Sequence, residues 1–249
     1  MRRNLAGVPT ITTGGDYKMI RAILFDFNGV LIDDEPLQLK AYQEALRPAG
    51  VALSEKDYYD CLGMDDATFA RAAFERGGVQ PTDEQFAELM RRKTELHREM
   101  IKDELPLFPG VVTFVKACAR VWPLGIVSMA TRDEIDYALG RAGLADSFAV
   151  VVSADDVRAC KPDPACYLRG LELLNERRPA GQGSLAAAEC LVVEDSPPGI
   201  ESGRAAGMRT LGVTNTVADS ALRAAGAHVV TARLSDWTPD AVYHVFGER

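Results

Sequence analysis

The chain has 249 residues, a formal net charge of −8 and a hydrophobic content of 47%. This length and composition predict a globular protein with one large domain, or one domain that carries an insertion. The negative charge argues against a nucleic-acid-binding surface, because such a surface needs a basic stripe. No apolar run approaches the roughly 18 residues of a membrane span, so no contact with a membrane is expected.

The cysteines and the N-terminus favour a cytoplasmic protein. The five cysteines are odd in number, scattered and without metal-ligand spacing, so they are expected to be reduced packing residues. Residues 1–18 carry Arg2 and Arg3 but no apolar core, which argues against a secretory signal. The segment "TTGGDYK" is expected to be a flexible lead-in, with Met19 as a candidate alternative start.

Short apolar runs alternate with helical patterns along the chain, which is typical of a parallel sheet with crossover helices. Five runs and a weaker sixth predict strands at Ala22–Phe27, Leu124–Met129, Ala149–Ser153, Cys190–Val193, Thr210–Val213 and His228–Thr231. The predicted fold class is α/β, with a Rossmann-like, doubly wound parallel sheet. Because the carboxyl ends of the strands form the ligand crevice in such a sheet, the residues after each run are expected to converge.

Strand signals are absent between Pro36 and about Pro106. Helices are predicted there at Leu37–Leu46, Glu55–Cys61, Asp66–Glu75 and Asp83–Ile101. An all-helical insertion directly after the first strand predicts a helical cap domain at residues 36–105. The α/β core would then comprise residues 19–35 and 106–249, after an N-terminal extension at residues 1–18. A cap at the mouth of the sheet is expected to exclude water and select substrates, with a purely structural insertion as the alternative.

Polar residues follow the first four predicted strands. In chain order they are Asp26, Asn28, Ser128, Lys161, Glu194 and Asp195. Each alone is equally typical of a turn, a helix cap or a solvated loop. Together they offer hard oxygen ligands that suit Mg²⁺, with a lysine and a hydroxyl that would orient a phosphoryl group. A central carboxylate in such a site can attack phosphorus and form an aspartyl phosphate.

Four motifs give the chain a specific resemblance. "FDFNGVL", "IVSMAT", "CKPDP" and "VVEDSPPGIESGRAAGM" occur in this order. The chain thereby resembles the haloacid dehalogenase superfamily, in the branch with a helical cap that includes β-phosphoglucomutase and small-molecule phosphatases. The resemblance extends from Ile20 to the C-terminus.

The resemblance implies an enzyme, namely a Mg²⁺-dependent hydrolase that acts on a small phosphorylated metabolite and is a monomer or a weak dimer. The implied roles are Asp26 as nucleophile, Ser128, Met129 and Lys161 as phosphate-binding residues, and Asp26, Asn28, Glu194 and Asp195 at the metal. Asn28 would contribute its backbone carbonyl.

Asn28 departs from the family pattern. Phosphatases of the superfamily have an aspartate there, which protonates the leaving oxygen and then activates water. An amide does not titrate near neutral pH, and general acid–base catalysis contributes roughly 10²–10⁴-fold. Three interpretations stay open: an engineered trap, a natural member that needs no acid there, and a substitute carboxylate. Asp34 is our candidate substitute and catalytic residue, with a helix N-cap or a solvated acid as the alternative.

Other activities remain as alternatives. In a hexose-phosphate mutase, a histidine and an arginine stand where this chain has Gln38 and Asp66, so hydrolysis is favoured over phosphate transfer within a sugar. A dehalogenase is disfavoured, because the acidic pair Glu194 and Asp195 is typical of a metal site.

The cap lysines and arginines leave two further alternatives open. A phosphonate hydrolase would need a Schiff-base lysine in the cap, for which Lys40 and Lys56 are the candidates. Arg91, Arg92 and Lys93 are expected to form a solvated face rather than to bind substrate. A non-catalytic sensor of phosphate ligands would retain the same cradle.

Overall fold

The computed structural model describes residues 19–247, so the predicted lead-in at residues 1–18 lies outside the described part. The strands are β1 Ala22–Phe25, β2 Leu124–Val127, β3 Val150–Val152, β4 Cys190–Glu194, β5 Arg209–Val213 and β6 Val229–Thr231. They form one parallel sheet in the order β3-β2-β1-β4-β5-β6. The predicted α/β fold class and all six predicted strands are confirmed, with strand ends shifted by no more than two residues.

Ten α-helices accompany the sheet in the described residues. They are α1 Glu35–Leu46, α2 Glu55–Tyr59, α3 Asp66–Arg76, α4 Asp83–Ile101, α5 Val111–Ala119, α6 Arg132–Ala142, α7 Ala165–Glu176, α8 Pro197–Ala205, α9 Asp219–Ala224 and α10 Pro239–Gly247. None of these helices is both long and apolar enough to cross a membrane.

Both faces of the sheet are covered. Every residue of β1 and β4 is buried, which explains why these strands appear as unbroken apolar runs in the sequence. Successive side chains point to opposite faces, so Phe25 packs in a core with α5, α6 and α10 while Leu24 packs with α7. The strand order reverses between β1 and β4, which places a crevice at their carboxyl ends.

Helices α1 to α4 form a cap with its own apolar core. The largest side chains in this core include Tyr42, Leu46, Phe69, Phe74 and Leu89. Sequence signals fix the helix starts, because Thr82 caps α4 through a reciprocal capping box with Gln85. The cap follows β1 in the chain, as predicted, and α1 begins at Glu35. The domain boundaries at residues 36 and 105 stay a prediction.

The five cysteines are free thiols, and four of them are buried. Cys160, which is half-buried, directs its thiol to a carboxylate oxygen of Asp65 in the cap at 2.8 Å. This contact joins the cap to the loop that carries Lys161.

Candidate active site

Three buried carboxylates meet at the carboxyl ends of β1 and β4. Each of Asp26, Glu194 and Asp195 offers an oxygen atom, and these atoms lie within 4.8 Å of one another. The parallel register pairs Phe25 with Val193, so the residues that follow the two strands are neighbours. The expected convergence of the two acidic segments is therefore present in the fold.

Lys161 joins this cluster from the loop after β3. Its Nζ atom lies 2.9 Å from Asp26 Oδ1 and 2.6 Å from Glu194 Oε1, and it donates to the Val127 carbonyl at 3.2 Å. Burial alone would lower the pKa of Lys161, but the carboxylates of Asp26 and Glu194 raise it. The lysine therefore stays an ammonium group.

Two glycines permit the close approach. A Cβ atom at Gly29 would lie 2.0 Å from Asp195 Oδ2, and one at Gly199 would lie 1.9 Å from Glu194 Oε1. Gly29 also has φ of +71°, a left-handed conformation that other residues adopt with strain. A larger residue at Gly29 would displace the Asp195 side chain, and one at Gly199 would displace that of Glu194.

The charges of the cluster do not balance within the protein. Burial, followed by the Glu194 carboxylate, raises the pKa of Asp26, and burial with Glu194 and Asp26 raises the pKa of Asp195. Lys161 supplies one positive charge against three carboxyl groups. Buried charges are stable only when they are paired, so the donor set fits a divalent cation with hard oxygen ligands such as Mg²⁺.

Glu194 is the best-satisfied member of the cluster. Its Oε1 accepts hydrogen bonds from Lys161 at 2.6 Å and from the Tyr167 hydroxyl at 2.8 Å. Its Oε2 accepts from the Asp195 backbone N–H at 3.1 Å and the Ser196 hydroxyl at 3.1 Å. These bonds fix the acidic loop. Among the described residues, Asp26 and Asp195 accept fewer hydrogen bonds than Glu194 does.

A cavity above the cluster contains the residues predicted to hold a phosphoryl group. Ser128 and Met129, at the end of β2, line it together with Asp26 and Lys161. Ser128 is buried, and its Oγ atom accepts a hydrogen bond from the Ala130 N–H at 3.1 Å. The hydroxyl proton therefore remains to be donated to a ligand oxygen.

The cavity is small and lies between core and cap. Water-sized molecules can reach about 90 Å³ of it, compared with the roughly 300–1,000 Å³ of pockets for drug-sized ligands. Its cap side is formed by polar and aromatic residues, including Glu35, Gln38, Tyr42, Tyr58, Asp66 and Lys93. This size favours a small metabolite.

Asn28 is bonded to Asp34. The Asn28 amide nitrogen lies 3.0 Å from each carboxylate oxygen of Asp34, and Gln38 donates to Oδ2 at 3.1 Å. His97 Nε2 lies 2.9 Å from the same oxygen. Since a carboxylate only accepts hydrogen bonds, this contact orients the amide with its NH₂ group toward Asp34.

Asp34 does not lie where the sequence led us to expect it. It is 0% exposed, and it is absent from the residues that line the cavity. Of the two expected alternatives, the solvated acid is wrong, because the side chain is buried. Asp34 does occupy the N-cap position of α1, although its side chain makes no capping hydrogen bond. Hydrogen bonds from Asn28 and Gln38 fix its carboxylate outside the cavity lining, which argues against contact with substrate.

Lys93 corrects the expectation of a solvated basic face on α4. It is 1% exposed, and its Nζ donates to Asp66 Oδ2 at 2.6 Å and to Glu134 Oε1 of α6 at 3.1 Å. Burial alone would lower the pKa of Lys93, but the carboxylates of Asp66 and Glu134 raise it. The expectation holds for Arg91, which is exposed and paired with Glu88 and Glu95.

The lysines considered for a Schiff base lie away from the cavity. Lys40 and Lys56 are exposed, and Lys56 pairs with Asp60. Neither lines the cavity. Lys93 lines it, but its paired ammonium group is unsuited to attack a carbonyl carbon.

Sequence reasoning assigned no role to Glu35 or Tyr58, although both line the cavity. The Tyr58 hydroxyl donates to Glu35 Oε2 at 2.6 Å. The spacing of Glu35, Gln38 and Tyr42 places them on one face of α1, and all three line the cavity. This periodicity was the available signal for Glu35.

Sequence comparisons identify several related proteins. "Phosphorylated carbohydrates phosphatase" of Thermotoga maritima is 30% identical over 214 residues, which cover 84% of this chain and 92% of that protein. "Phosphonoacetaldehyde hydrolase" of Bordetella pertussis is 30% identical over 209 residues, which cover 78% of this chain and 72% of that protein. The chain spans about a fifth of "Protein SUPPRESSOR OF QUENCHING 1, chloroplastic" of Arabidopsis thaliana, with 29% identity and 89% of this chain covered.

The fold has close structural counterparts. A β-phosphoglucomutase from Clostridium difficile superposes with a TM-score of 0.79 at 20% identity, over 92% of this chain and 98% of that chain. The family model described as "Haloacid dehalogenase-like hydrolase" matches residues 23–213. The parallel sheet, the helical cap and this match lead to one conclusion: the chain belongs to the haloacid dehalogenase-like hydrolases.

Proposed function

We propose that this protein is a Mg²⁺-dependent phosphatase that removes phosphate from a small phosphorylated metabolite through an aspartyl phosphate on Asp26. The observation that carries the proposal is the pairing of Lys161 with Asp26 at 2.9 Å beside the buried carboxylates of Glu194 and Asp195. A nucleophile, a fixed cation and the Asp195 carboxylate thus border one cavity with the hydroxyl of Ser128, and Glu194 lies beside them.

The proposed reaction has two steps at Asp26. A carboxylate oxygen of Asp26 bonds to phosphorus while the bond from phosphorus to the ester oxygen breaks. Lys161 orients Asp26 and offsets charge on the phosphoryl oxygens, and Ser128 donates a hydrogen bond to one of them. Water then bonds to phosphorus while the bond from phosphorus to the Asp26 oxygen breaks, which releases inorganic phosphate and restores the Asp26 carboxylate.

The metal would be held by the carboxylates of Asp26 and Asp195, with Glu194 beside them and the backbone carbonyl of Asn28. Mg²⁺ would supply positive charge that reduces repulsion between the Asp26 carboxylate and the phosphoryl oxygens. Lys161 alone would leave that repulsion largely uncompensated.

The charges around the cavity favour a substrate with a single phosphate. Lys93 is the cation on the cap side among the described lining residues, and Asp66 and Glu134 already pair with it. A second phosphate would therefore meet carboxylates without a free cation. The Gln38 amide, bonded to Asp34, and the Asp66 carboxylate give a mutase no second phosphate site.

Phosphate release from a panel of esters tests the proposal. The wild type should hydrolyse sugar monophosphates faster than matched bisphosphates, and EDTA should abolish turnover until Mg²⁺ is restored. Asp26→Asn should reduce turnover by at least about 10³-fold, because it removes the nucleophile. Asp133→Asn, on the exposed surface of α6, is the matched control and should leave the rate unchanged.

Contrary outcomes of the same panel are specific. Turnover by Asp26→Asn at the wild-type rate would exclude the aspartyl phosphate. Turnover that persists in EDTA would favour dehalogenase-type chemistry, and release of phosphate from a phosphonate would favour a phosphonate hydrolase.

A further inference from the structure

A phosphatase built on this site lacks a proton donor at Asn28. The amide cannot titrate, and its NH₂ group is bonded to both oxygens of Asp34 at 3.0 Å. Asp34 is itself buried beneath the amide. An alkoxide leaving group and the attacking water both require proton transfer, so another titratable group at the cavity has to supply it.

Glu35 lies where it could transfer these protons. It is the first residue of α1, directly at the junction of core and cap, and its half-buried side chain lines the same cavity as Asp26, Asn28 and Lys161. Its Oε2 atom accepts the hydrogen bond from Tyr58, and no hydrogen bond to Oε1 occurs among the described residues. One carboxyl oxygen is therefore fixed by the cap, and the other is free for a ligand or water.

The surroundings of Glu35 favour a proton at neutral pH. Burial, followed by the neighbouring carboxylate of Asp34, raises the pKa of Glu35 to about 7, and the Tyr58 hydrogen bond opposes this. The titratable groups that face Glu35 from its own and neighbouring elements are Asp34, Asp26, Asp195, Tyr58, Tyr59 and Lys93. An acid that gains and loses a proton near neutral pH suits both halves of the reaction.

We propose that Glu35 is the general acid and base of this site, performing the role that Asn28 cannot perform, with Tyr58 as its positioning residue. This inference rests on the proposed phosphatase function. In the first step the Glu35 carboxyl group gives its proton to the ester oxygen as the bond from that oxygen to phosphorus breaks.

In the second step the Glu35 carboxylate accepts a proton from water while the water oxygen bonds to phosphorus. The bond from phosphorus to Asp26 breaks, and its electron pair returns to the Asp26 carboxylate. Inorganic phosphate leaves, and Glu35 is again protonated for the next cycle. The net change is hydrolysis of one phosphate ester by one water molecule.

Glu35→Gln tests the inference, because the amide preserves shape and can still accept from Tyr58. With an alkyl phosphate, we expect kcat to fall by roughly 10²–10⁴-fold. With p-nitrophenyl phosphate, whose leaving group needs no proton, we expect a rapid burst of nitrophenolate followed by slow turnover. The burst also shows that the variant is folded and that Asp26 still reacts.

The pH dependence gives a second readout. For the wild type, kcat/KM with an alkyl phosphate should fall as the pH rises through about 7, since the acid must be protonated. Tyr58→Phe should shift this limb to higher pH, because its hydroxyl stabilises the Glu35 carboxylate. Glu55→Gln, an exposed glutamate at the start of α2, is the matched control and should change neither rate nor profile.

The outcomes separate the two proposals. If Glu35→Gln keeps the wild-type rate and pH profile while Asp26→Asn is inactive, the role of Glu35 is refuted and the phosphatase stands. If the wild type hydrolyses no phosphate ester with Mg²⁺, the proposed function fails, and the inference about Glu35 fails with it.

Discussion

Asn28 and Asp34 behave as a matched pair of residues. The amide donates to both carboxylate oxygens at 3.0 Å, Gln38 donates to Oδ2 of Asp34 at 3.1 Å, and His97 Nε2 lies 2.9 Å from that oxygen. The pair thus contains one buried carboxyl group, which lies at position 34 and outside the lining of the cavity.

The pairing predicts that Asn28→Asp alone destabilises the protein. Two buried carboxylates would then lie about 3 Å apart without an amide between them, which should lower the free energy of unfolding by roughly 1–3 kcal/mol. Urea denaturation of the wild type and of Asn28→Asp at about pH 8 measures this loss.

The double variant Asn28→Asp/Asp34→Ser is the control for that experiment. It removes the repulsion and supplies a hydroxyl donor, so its midpoint of denaturation should return toward the wild-type value. Equal stability of the wild type and Asn28→Asp at high pH would show that the pair is not coupled.

At the scale of elements, α4 ties the cap to the core through one buried cation. Lys93 of α4 pairs with Asp66 of α3 and Glu134 of α6. Burial alone would raise the pKa of Glu134, but Lys93 lowers it. Lys93 thus lies on the buried face of α4, whereas Arg91, two residues earlier and about 200° around the helix axis, lies on the solvated face.

Removing the buried cation Lys93 should reduce the free energy of unfolding far more than removing the exposed cation Arg91. Lys93→Met leaves two carboxylates unpaired and should reduce the free energy of unfolding by roughly 3–5 kcal/mol. Arg91→Ala breaks two exposed ion pairs of the same helix, which water and salt screen, so it should reduce the free energy of unfolding far less. Urea denaturation of both variants measures the contrast, and equal losses would contradict the buried role of Lys93.

Helix α1 has a comparable division of faces. Glu35, Gln38 and Tyr42 look into the cavity, whereas Pro36 and Lys40 are exposed. A single short helix therefore connects the core to the cap and also supplies three residues of the cavity wall.

For the molecule as a whole, the sequence was most informative where local rules decide the outcome. Strand positions followed from apolar runs, and Asp26, Ser128, Lys161 and Asp195 came together because each follows a strand of one parallel sheet. Helix α4 was predicted with its observed bounds, and the capping box of Thr82 and Gln85 defines its start.

The remaining features depend on packing between distant segments. Lys93 is buried by partners 27 and 41 positions away, and nothing in the local pattern of α4 distinguishes it from Arg91 or Arg92. Asp34 was expected near the substrate because it lies six residues after Asn28. Sequence distance does not reveal which side chains of this segment face the cavity. Only the fold separates Asp34, beneath the site, from Glu35, in its wall.

The most direct test of the central claim is to locate the phosphoryl group during turnover. Wild-type protein mixed with a phosphate ester and Mg²⁺ would be quenched in acid, reduced with borohydride and digested, and the peptides would be analysed by mass spectrometry. We predict that Asp26 is converted to homoserine, that Asp195 is unchanged, and that EDTA prevents the conversion. Active protein in which Asp26 remains an intact aspartate, or in which another residue carries the phosphoryl group, would contradict the account.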